Sequence, residues 1–301
     1  MSKSLIKKGK SKISLLTKKL FRKDAKKPDI QYTIGNISIS LPHNHPLPSY
    51  QKAFLLYNKA VGIIAQIIEK ENSNAIIIDI GANIGDTAAE IRGKSSLHII
   101  AIEGDPLFLT YLKRNTATIK AITIVDSFIG EPDNNSSFKI DKYGEGTAKL
   151  LPTTDQEGIK TTTLEEIIEK YNIREHSISL IKIDTDGFDF RIIRSMDTFI
   201  AKIKPSIFFE YDIHFDATGA AEGMRTINRL SELGYNFVVY DNFGNLLTCI
   251  RSNSSERFQE INNYLRSCFN NKGGINYVDI LAIHKENALL LKGILDAYNS
   301  N

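Results

Sequence analysis

Ala75-Ile-Ile-Ile-Asp79-Ile-Gly81-Ala-Asn83-Ile-Gly85-Asp86-Thr87 is an apolar run that stops at a carboxylate and gives way to a glycine loop. The pattern predicts a strand, a tight turn and the start of a helix. Four apolar residues in a row before Asp79 suit a strand covered on both faces, at the centre of a parallel sheet. Gly81 and Gly85 allow a sharp turn and a close backbone approach to a ligand that a Cβ would hold off. The following helix would direct its unpaired N–H groups and positive dipole end at an anionic group over the loop.

A dinucleotide fingerprint requires G-x-G-x-x-G, but counting from Gly81 places Asn83 and Asp86 where the second and third glycines belong. That argues against a pyrophosphate and, with it, against a nicotinamide-dependent oxidoreductase. The next apolar run, His98-Ile-Ile-Ala-Ile-Glu103, ends in an acid 22 residues beyond Gly81. This is about where such folds place the carboxylate that binds ribose hydroxyls. A loop suited to a small amino-acid ligand, joined to a ribose acid, points to S-adenosylmethionine.

Strands are expected near 75–80, 97–103, 121–128, 179–184, 205–212, 236–241 and 276–284, with helical patterns between most of them, which implies a doubly wound parallel sheet. Ahead of it, Ile30 to Ser40 alternates like a short strand or hairpin arm. Leu41-Pro-His43-Asn-His45-Pro-Leu-Pro48-Ser-Tyr50 then breaks regular structure and hands over to a helix from about Gln51 to Lys70, together a cap on the substrate side. Residues 131–160 read as turns around short strands forming a rim or flap. Asp241-Asn-Phe-Gly-Asn245 is a turn, followed by helices over about Ser254–Phe269 and Glu286–Tyr298. The expected divisions are a basic tail over 1–28, a strand, loop and helix cap over 29–70, a donor-binding domain over 71–285 and a C-terminal helix over 286–301.

The second loaded stretch is Ser179-Leu-Ile-Lys182-Ile-Asp184-Thr-Asp186-Gly187-Phe-Asp189-Phe, again a strand ending in carboxylates. Ligands of open α/β sheets bind outside the carboxyl ends of the strands, so Asp79, Glu103, Asp126 and Asp184 should face one crevice. Several buried carboxylates are costly without hydrogen bonds or a cation, and a sulfonium supplies one positive charge. Asp79, Gly81, Asn83, Gly85, Glu103, Asp126, the adjoining Ser127 and Asp184 are the candidate donor-binding residues.

In these stretches the chain resembles the FkbM family of S-adenosylmethionine-dependent methyltransferases. The resemblance rests on Asp79-Ile-Gly-Ala-Asn-Ile-Gly85, Glu103 with Asp105-Pro106, Thr162-Thr-Leu164 ahead of a helix, Ile181-Lys-Ile-Asp184-x-Asp186-Gly187 and Pro205 to Glu210. It spans about residues 70–215, and more loosely Leu41 to Tyr57 and the last strand. Similar members carry Glu where Asp186 stands, and often where Asp189 stands. The resemblance implies a class I, Rossmann-like methyltransferase fold of seven strands with the last antiparallel, and O-methylation of a hydroxyl. Members similar around Leu41-Pro-x-x-His45-x-Leu-Pro-x-Tyr50 look like glycan or polysaccharide methyltransferases.

Methyl transfer from a sulfonium is an in-line displacement, and a base acting on a weakly nucleophilic hydroxyl adds roughly 10²–10⁴-fold. Asp184 is the first candidate for that base, with Asp212 and His214 of Glu210-Tyr-Asp-Ile-His214 as second candidates. Asp184 could equally orient the loop or hold the donor's amino group. Mg²⁺ on Asp184, Asp186 and Asp212 is a lesser alternative, and no metal is expected.

At 301 residues and 42% hydrophobic the chain can bury one α/β core with decoration. No apolar run approaches the roughly 20 residues of a membrane span, and no signal peptide is evident, so a cytoplasmic protein is expected. Cys249 and Cys268 are too few for a disulfide framework or a metal cluster. The net charge of +3 hides an asymmetry: residues 1–27 hold eleven Lys or Arg and one acid, leaving the remainder net negative by seven. The tail reads as a solubilising arm or, with Ile13, Leu16 and Leu20 at helical spacing, as a peripheral contact with anionic membrane at the inner face. An acidic body without an aromatic-interleaved basic patch argues against nucleic acid. A binding protein that keeps the donor fold without chemistry, in a polysaccharide assembly complex, is a further alternative. The oligomeric state is not readable from the sequence.

Overall fold

Strand β1 (Ile30–Ile34) and strand β2 (Ile37–Leu41) form an N-terminal hairpin, after which the chain enters its main sheet at β3 (Ile76–Ile80). Then follow β4 (His98–Glu103), β5 (Ile122–Asp126), β6 (Phe128–Ile129), β7 (Ser137–Tyr143), β8 (Thr147–Thr153), β9 (Thr161–Thr162), β10 (Ile178–Ile183), β11 (Ser206–Tyr211), β12 (Tyr235–Asp241), β13 (Leu246–Ile250) and β14 (Val278–His284). This structure is a computed structural model that describes residues 27–131, 137–143, 147–153, 159–215 and 217–299. The basic tail expected over 1–28 falls almost wholly outside the described residues, as do residues 132–136, 144–146 and 154–158 of the turns and short strands expected over 131–160.

Eight strands pair in the order β13-β12-β14-β11-β10-β3-β4-β5. The pairs β11/β10, β10/β3, β3/β4 and β4/β5 are parallel, and β14 runs antiparallel between β11 and β12. From β3 the chain winds outward through β4 and β5, and then restarts on the other side of β3 with β10 and β11. The order therefore reverses between β3 and β10, the place where an open α/β sheet forms a ligand crevice.

All five residues of β3 are buried, as its unbroken apolar run requires of a strand with helices on both faces. Period-two alternation divides the core. Ile78, Ile80, Ile181, Ile183 and Phe209 face one layer, closed by the helices Leu164–Lys170, Asp189–Ser195, Gly219–Glu232 and Ser254–Asn270. Ile77, Leu180, Phe208 and Leu281 face the other, closed by the helices Ala60–Glu71, Asp86–Arg92, Pro106–Asn115 and Ala288–Asn299. Asp79, Lys182, Glu210, Asp279 and Tyr240 alternate onto this second face, so the polar groups of five neighbouring strands share one side of the sheet.

The hairpin β1–β2 is anchored through Asn115, whose amide accepts from the Ser40 N–H at 2.8 Å and donates to the carbonyls of Ser40 and Ile84. This ties the cap to the glycine loop itself.

Three details differ from the sequence expectation. The sheet has eight strands instead of seven, because the turn at Asp241–Asn245 closes a hairpin and Leu246–Ile250 pairs antiparallel with β12. The single helix expected from Gln51 to Lys70 is two, Leu47–Ala53 and Ala60–Glu71. Phe54 turns extended and stacks on Phe243 of the β12–β13 turn at 4.0 Å between ring centroids, and Asn58 adopts a left-handed conformation. Packing against that turn outweighs helix continuation. The strand expected to reach residue 128 stops at Asp126, and Phe128–Ile129 pairs with β9 instead.

Phe258 is fully buried between Tyr211 and Phe237 with ring centroids at 5.4 and 5.3 Å. Phe258→Ala is expected to cost about 3–5 kcal/mol in urea unfolding.

Candidate active site

The site is built where the glycine loop after β3 meets the loop after β10. Gly81 has φ +78°, and a Cβ there would stand 2.0 Å from the carbonyl oxygen of Asp184, so the two backbones touch through a position only glycine can fill. The ladder continues across this contact, because the Asp184 N–H donates to the Ile80 carbonyl at 3.1 Å. On the other side the N–H groups of Gly81 and Ala82 both donate to the carbonyl of Ile102 at 3.0 Å. Asn83 and Asp186, on the two facing loops, both have positive φ (47° and 49°). Backbone strain of this kind persists where surrounding structure imposes it, and it clusters at functional sites.

Glu103 closes the crevice from β4. Its Oε2 accepts the Asn83 N–H at 2.8 Å and its Oε1 accepts the Asp105 N–H at 2.7 Å. These two bonds fix the carboxylate and leave lone pairs on each oxygen for incoming hydroxyl donors. Burial pushes its pKa up, while the backbone donors of Asp105 and Asn83 hold it down. Asp105 in turn caps the helix Pro106–Asn115 by accepting from the N–H groups of Leu107 and Phe108.

Below the crevice Lys182 is buried between two carboxylates, its Nζ 3.2 Å from Asp79 Oδ1 and 3.2 Å from Asp184 Oδ2. Neither Asp79 oxygen has an aligned hydrogen bond, so the Asp79 contact is ionic in character. Burial opposes the Lys182 charge, but Asp184, Asp79 and Asp86 outweigh it and hold the ammonium protonated. Burial also raises the Asp79 pKa, and Lys182 pulls it back. The Asp184 side chain, unlike Asp79, is half exposed at 54% and reaches into the crevice.

Asp189 organises the loop between them. Its Oδ2 accepts from the N–H of Thr185 at 3.2 Å and its hydroxyl at 2.8 Å, and its Oδ1 accepts the Glu210 N–H at 3.2 Å. Burial, with the nearby charge of Asp184, raises its pKa to about 6.

Three cavities meet at Asp184. One holds about 610 Å³ of empty space, with Gly81, Asn83, Glu103, Ser127, Phe128 and Phe188 among its walls. A second, of about 940 Å³, lies under the cap against His45, Tyr50, Tyr57, Asp86, Asp186 and Tyr277. A third, of about 560 Å³, runs beneath it beside Lys182.

Of the residues singled out in the sequence, Gly81, Asn83, Glu103, Ser127 and Asp184 line the first cavity together. Asp79 lies beneath them on Lys182, and Gly85 sits behind the loop as the N-cap of the helix Asp86–Arg92. That helix has only seven residues, and its first turn carries Asp86, whose carboxylate accepts from Asn58 Nδ2 at 2.9 Å. Asp126 is exposed and does not line the cavity that Ser127 enters. Asp212 accepts the His214 N–H at 2.7 Å, and the His214 ring stacks on Phe269 at 4.3 Å; neither residue lines the three cavities at Asp184. Among the described residues no group of three or more His, Cys, Asp or Glu side chains is placed to hold a metal ion. Sequence reading left Lys182 without a role, although a lone lysine between Ile181 and Ile183 of a buried strand signals an internal ion pair. Tyr57, Phe128, Tyr277 and Asp279 were also missed. Asp279, an acid between the apolar residues of β14, is the one with a local signal.

A doubly wound sheet with a glycine loop and an acid-ended second strand flanking its switch point defines a class I, Rossmann-like methyltransferase fold. The chain belongs to the FkbM methyltransferase domain family, whose sequence pattern matches residues 79–268. Solved structures that it resembles include the FkbM methyltransferase of Methylobacillus flagellatus KT, at 19% identity and a TM-score of 0.39 over 58% of this chain and 42% of that one. This chain therefore spans about two fifths of that protein's length. Another is TYW2 of M. jannaschii in complex with AdoMet, at 11% identity and a TM-score of 0.38 over 86% of each chain. No curated protein matches in sequence. Among the described residues, no helix is long and apolar enough to cross a membrane.

Removing one member of a buried ion pair leaves the other uncompensated. Lys182→Met is expected to destabilise the fold by about 3–5 kcal/mol in urea titrations, and adding Asp79→Asn to recover part of the loss. Asp189 has the linkage sign of a raised carboxyl, opposite to that of a carboxylate whose pKa an ion pair depresses. The folded chain holds its proton more tightly than the unfolded chain, so its stabilising contribution is present below the ordinary carboxylate range and lost as pH rises through about 6. Relative to Asp189→Asn, the native chain should therefore gain Tm as pH falls from about 7 to about 4. Thermal unfolding followed by circular dichroism checks this, and a pH-independent gap would mean that Asp189 is ionised throughout.

Proposed function

We propose that the protein is an S-adenosylmethionine-dependent O-methyltransferase acting on a hydroxyl of a sugar in a glycan or polysaccharide. The observation that carries this reading is the position of Asp184, which lines both the cavity under Glu103 and the cavity under the cap. The first cavity fits the donor. Glu103 has spare acceptor capacity for ribose hydroxyls, Phe128, Ile129 and Phe188 offer apolar walls for a purine, and Gly81 leaves room that a Cβ would fill. When bound, S-adenosylmethionine supplies an electrophilic methyl group on a positively charged sulfur.

The cap-side cavity suits a carbohydrate. Tyr50 and Tyr57 lie 5.1 Å apart at a tilt and present ring faces, while His45, Asp86 and Asp186 supply hydrogen-bonding groups. Asp184 accepts the acceptor hydroxyl's proton as the C–O bond forms and the C–S bond breaks. Lys182 positions Asp184 through their 3.2 Å contact. Holding the acceptor oxygen on the methyl axis is the larger part of the task.

Isothermal titration should detect S-adenosylhomocysteine binding and no NAD binding; NAD binding without the homocysteine compound would overturn the reading. Glu103→Ala should weaken S-adenosylhomocysteine by roughly tenfold or more, as lost charge-assisted hydrogen bonds do. Asp184→Asn should slow radiolabelled methyl transfer to the source organism's surface glycans by roughly 10²–10⁴-fold. Absence of transfer by the native chain to any such fraction would favour a donor-binding protein without chemistry.

A further inference from the structure

The third cavity, beside Lys182, has no part in the donor site. It shares Tyr57, Tyr277 and Asp184 with the acceptor cavity and continues from it towards β14 and β12. Its floor is a row across three strands. Glu210 on β11 stands directly opposite Asp279 on β14, and Asp279 directly opposite Tyr240 on β12. Like charges directly opposite on neighbouring strands destabilise a sheet. Among the described residues neither carboxylate is bridged by a cation, for the buried ammonium nearby, Lys182, is engaged by Asp79 and Asp184. Tyr240 is fully buried, lines the same cavity, and its hydroxyl makes no well-formed hydrogen bond. Its ring packs on Tyr298 at 5.4 Å, and the two phenols meet only each other, without a well-formed hydrogen bond on either hydroxyl. A buried polar group without a partner carries its full desolvation cost, so a ligand that satisfies this row would recover it.

The chemistry of the row selects the ligand. Burial first, and then the neighbouring carboxylates, push the Glu210 and Asp279 carboxyls well up, so the row takes up protons when no cation is present; an anion would meet these acids and Asp184 against a Lys182 already engaged by Asp79 and Asp184. A metal ion lacks a third protein ligand among the described residues. A primary ammonium carries three N–H donors, and the row offers two carboxylates and a phenol oxygen as acceptors. The rings of Tyr57 and Tyr277 add faces that attract a cation. Burial keeps both of these phenols neutral, so they remain hydroxyl donors.

We propose that this cavity receives a primary ammonium group of the methyl acceptor, so that the substrate class is an amino sugar and not a neutral, phosphorylated or uronic acid sugar. The inference rests on the methyltransferase reading above, and the test separates the two. S-adenosylhomocysteine binding is first established by isothermal titration; its absence overturns the methyltransferase reading. The protein saturated with it is then titrated with glucosamine, N-acetylglucosamine and glucose by saturation-transfer NMR. Glucosamine is expected to bind at least roughly tenfold more tightly than the other two, as a hydrogen bond to a charged group provides. Glu210→Gln and Asp279→Asn are each expected to erase that preference without changing S-adenosylhomocysteine affinity. The comparison of the three probes on the native chain decides the matter where a variant does not fold. Equal binding of the three sugars, no binding of glucosamine, a preference that survives both substitutions, or displacement of glucosamine by millimolar Mg²⁺ would each overturn the ammonium site.

Discussion

Lys182 is the group on which the rest of the site depends. A single ammonium buried in the sheet is held by Asp79 from β3 and Asp184 at the end of β10, across the point where the strand order reverses. Its charge is tolerable there only because carboxylates surround it, and Asp79 is tolerable at full burial only because Lys182 is present. The pair adds little net stability compared with apolar residues of the same size. What it provides is position: Asp184 leaves the strand already directed into the crevice, with its partner oxygen free to face a ligand.

Around this ion pair the two loops are held by backbone contacts. Asp189 ties Thr185 to the end of β11, and Glu103 ties Asn83 to the start of the next helix. Both acids accept N–H groups that would otherwise be unpaired in a buried turn. The crevice is thus held open by hydrogen bonds made before any ligand arrives, which lowers the ordering cost of binding.

The central parallel sheet, the glycine loop, Glu103 at the end of β4 and Asp184 at the end of β10 were legible in the sequence because each is a local signal. An unbroken apolar run marks a buried strand, and an acid at its end marks the sheet's ligand edge. What was not legible depended on contacts between distant segments. Phe54 ends its helix only because Phe243, nearly two hundred residues later, offers a ring to stack on. The eighth strand was missed because Leu246-Leu-Thr-Cys-Ile250 becomes a strand by pairing with β12, and its short sequence carries little alternation. Asp212 and His214 follow β11 as expected, yet the turn after Tyr211 carries them to Phe269 and away from Asp184. Glu210 is spaced by the strand itself, and it is the one that reaches a cavity at the site.

The close approach of Gly81 to the Asp184 carbonyl has a consequence for how this protein can change over time. Two loops that touch backbone to backbone cannot drift independently, since any side chain on one displaces the other. The glycine loop and the Asp184 loop therefore behave as one rigid part that sequence change must leave alone. The wall opposite is different in kind. Residues 42–58 are loop, a short helix and turns, resting on the core through a few anchors such as Leu47 and the stacked Phe54. His45, Tyr50 or Tyr57 can be exchanged there without disturbing the paired loops beneath, so the cap is the wall that this scaffold leaves open to change.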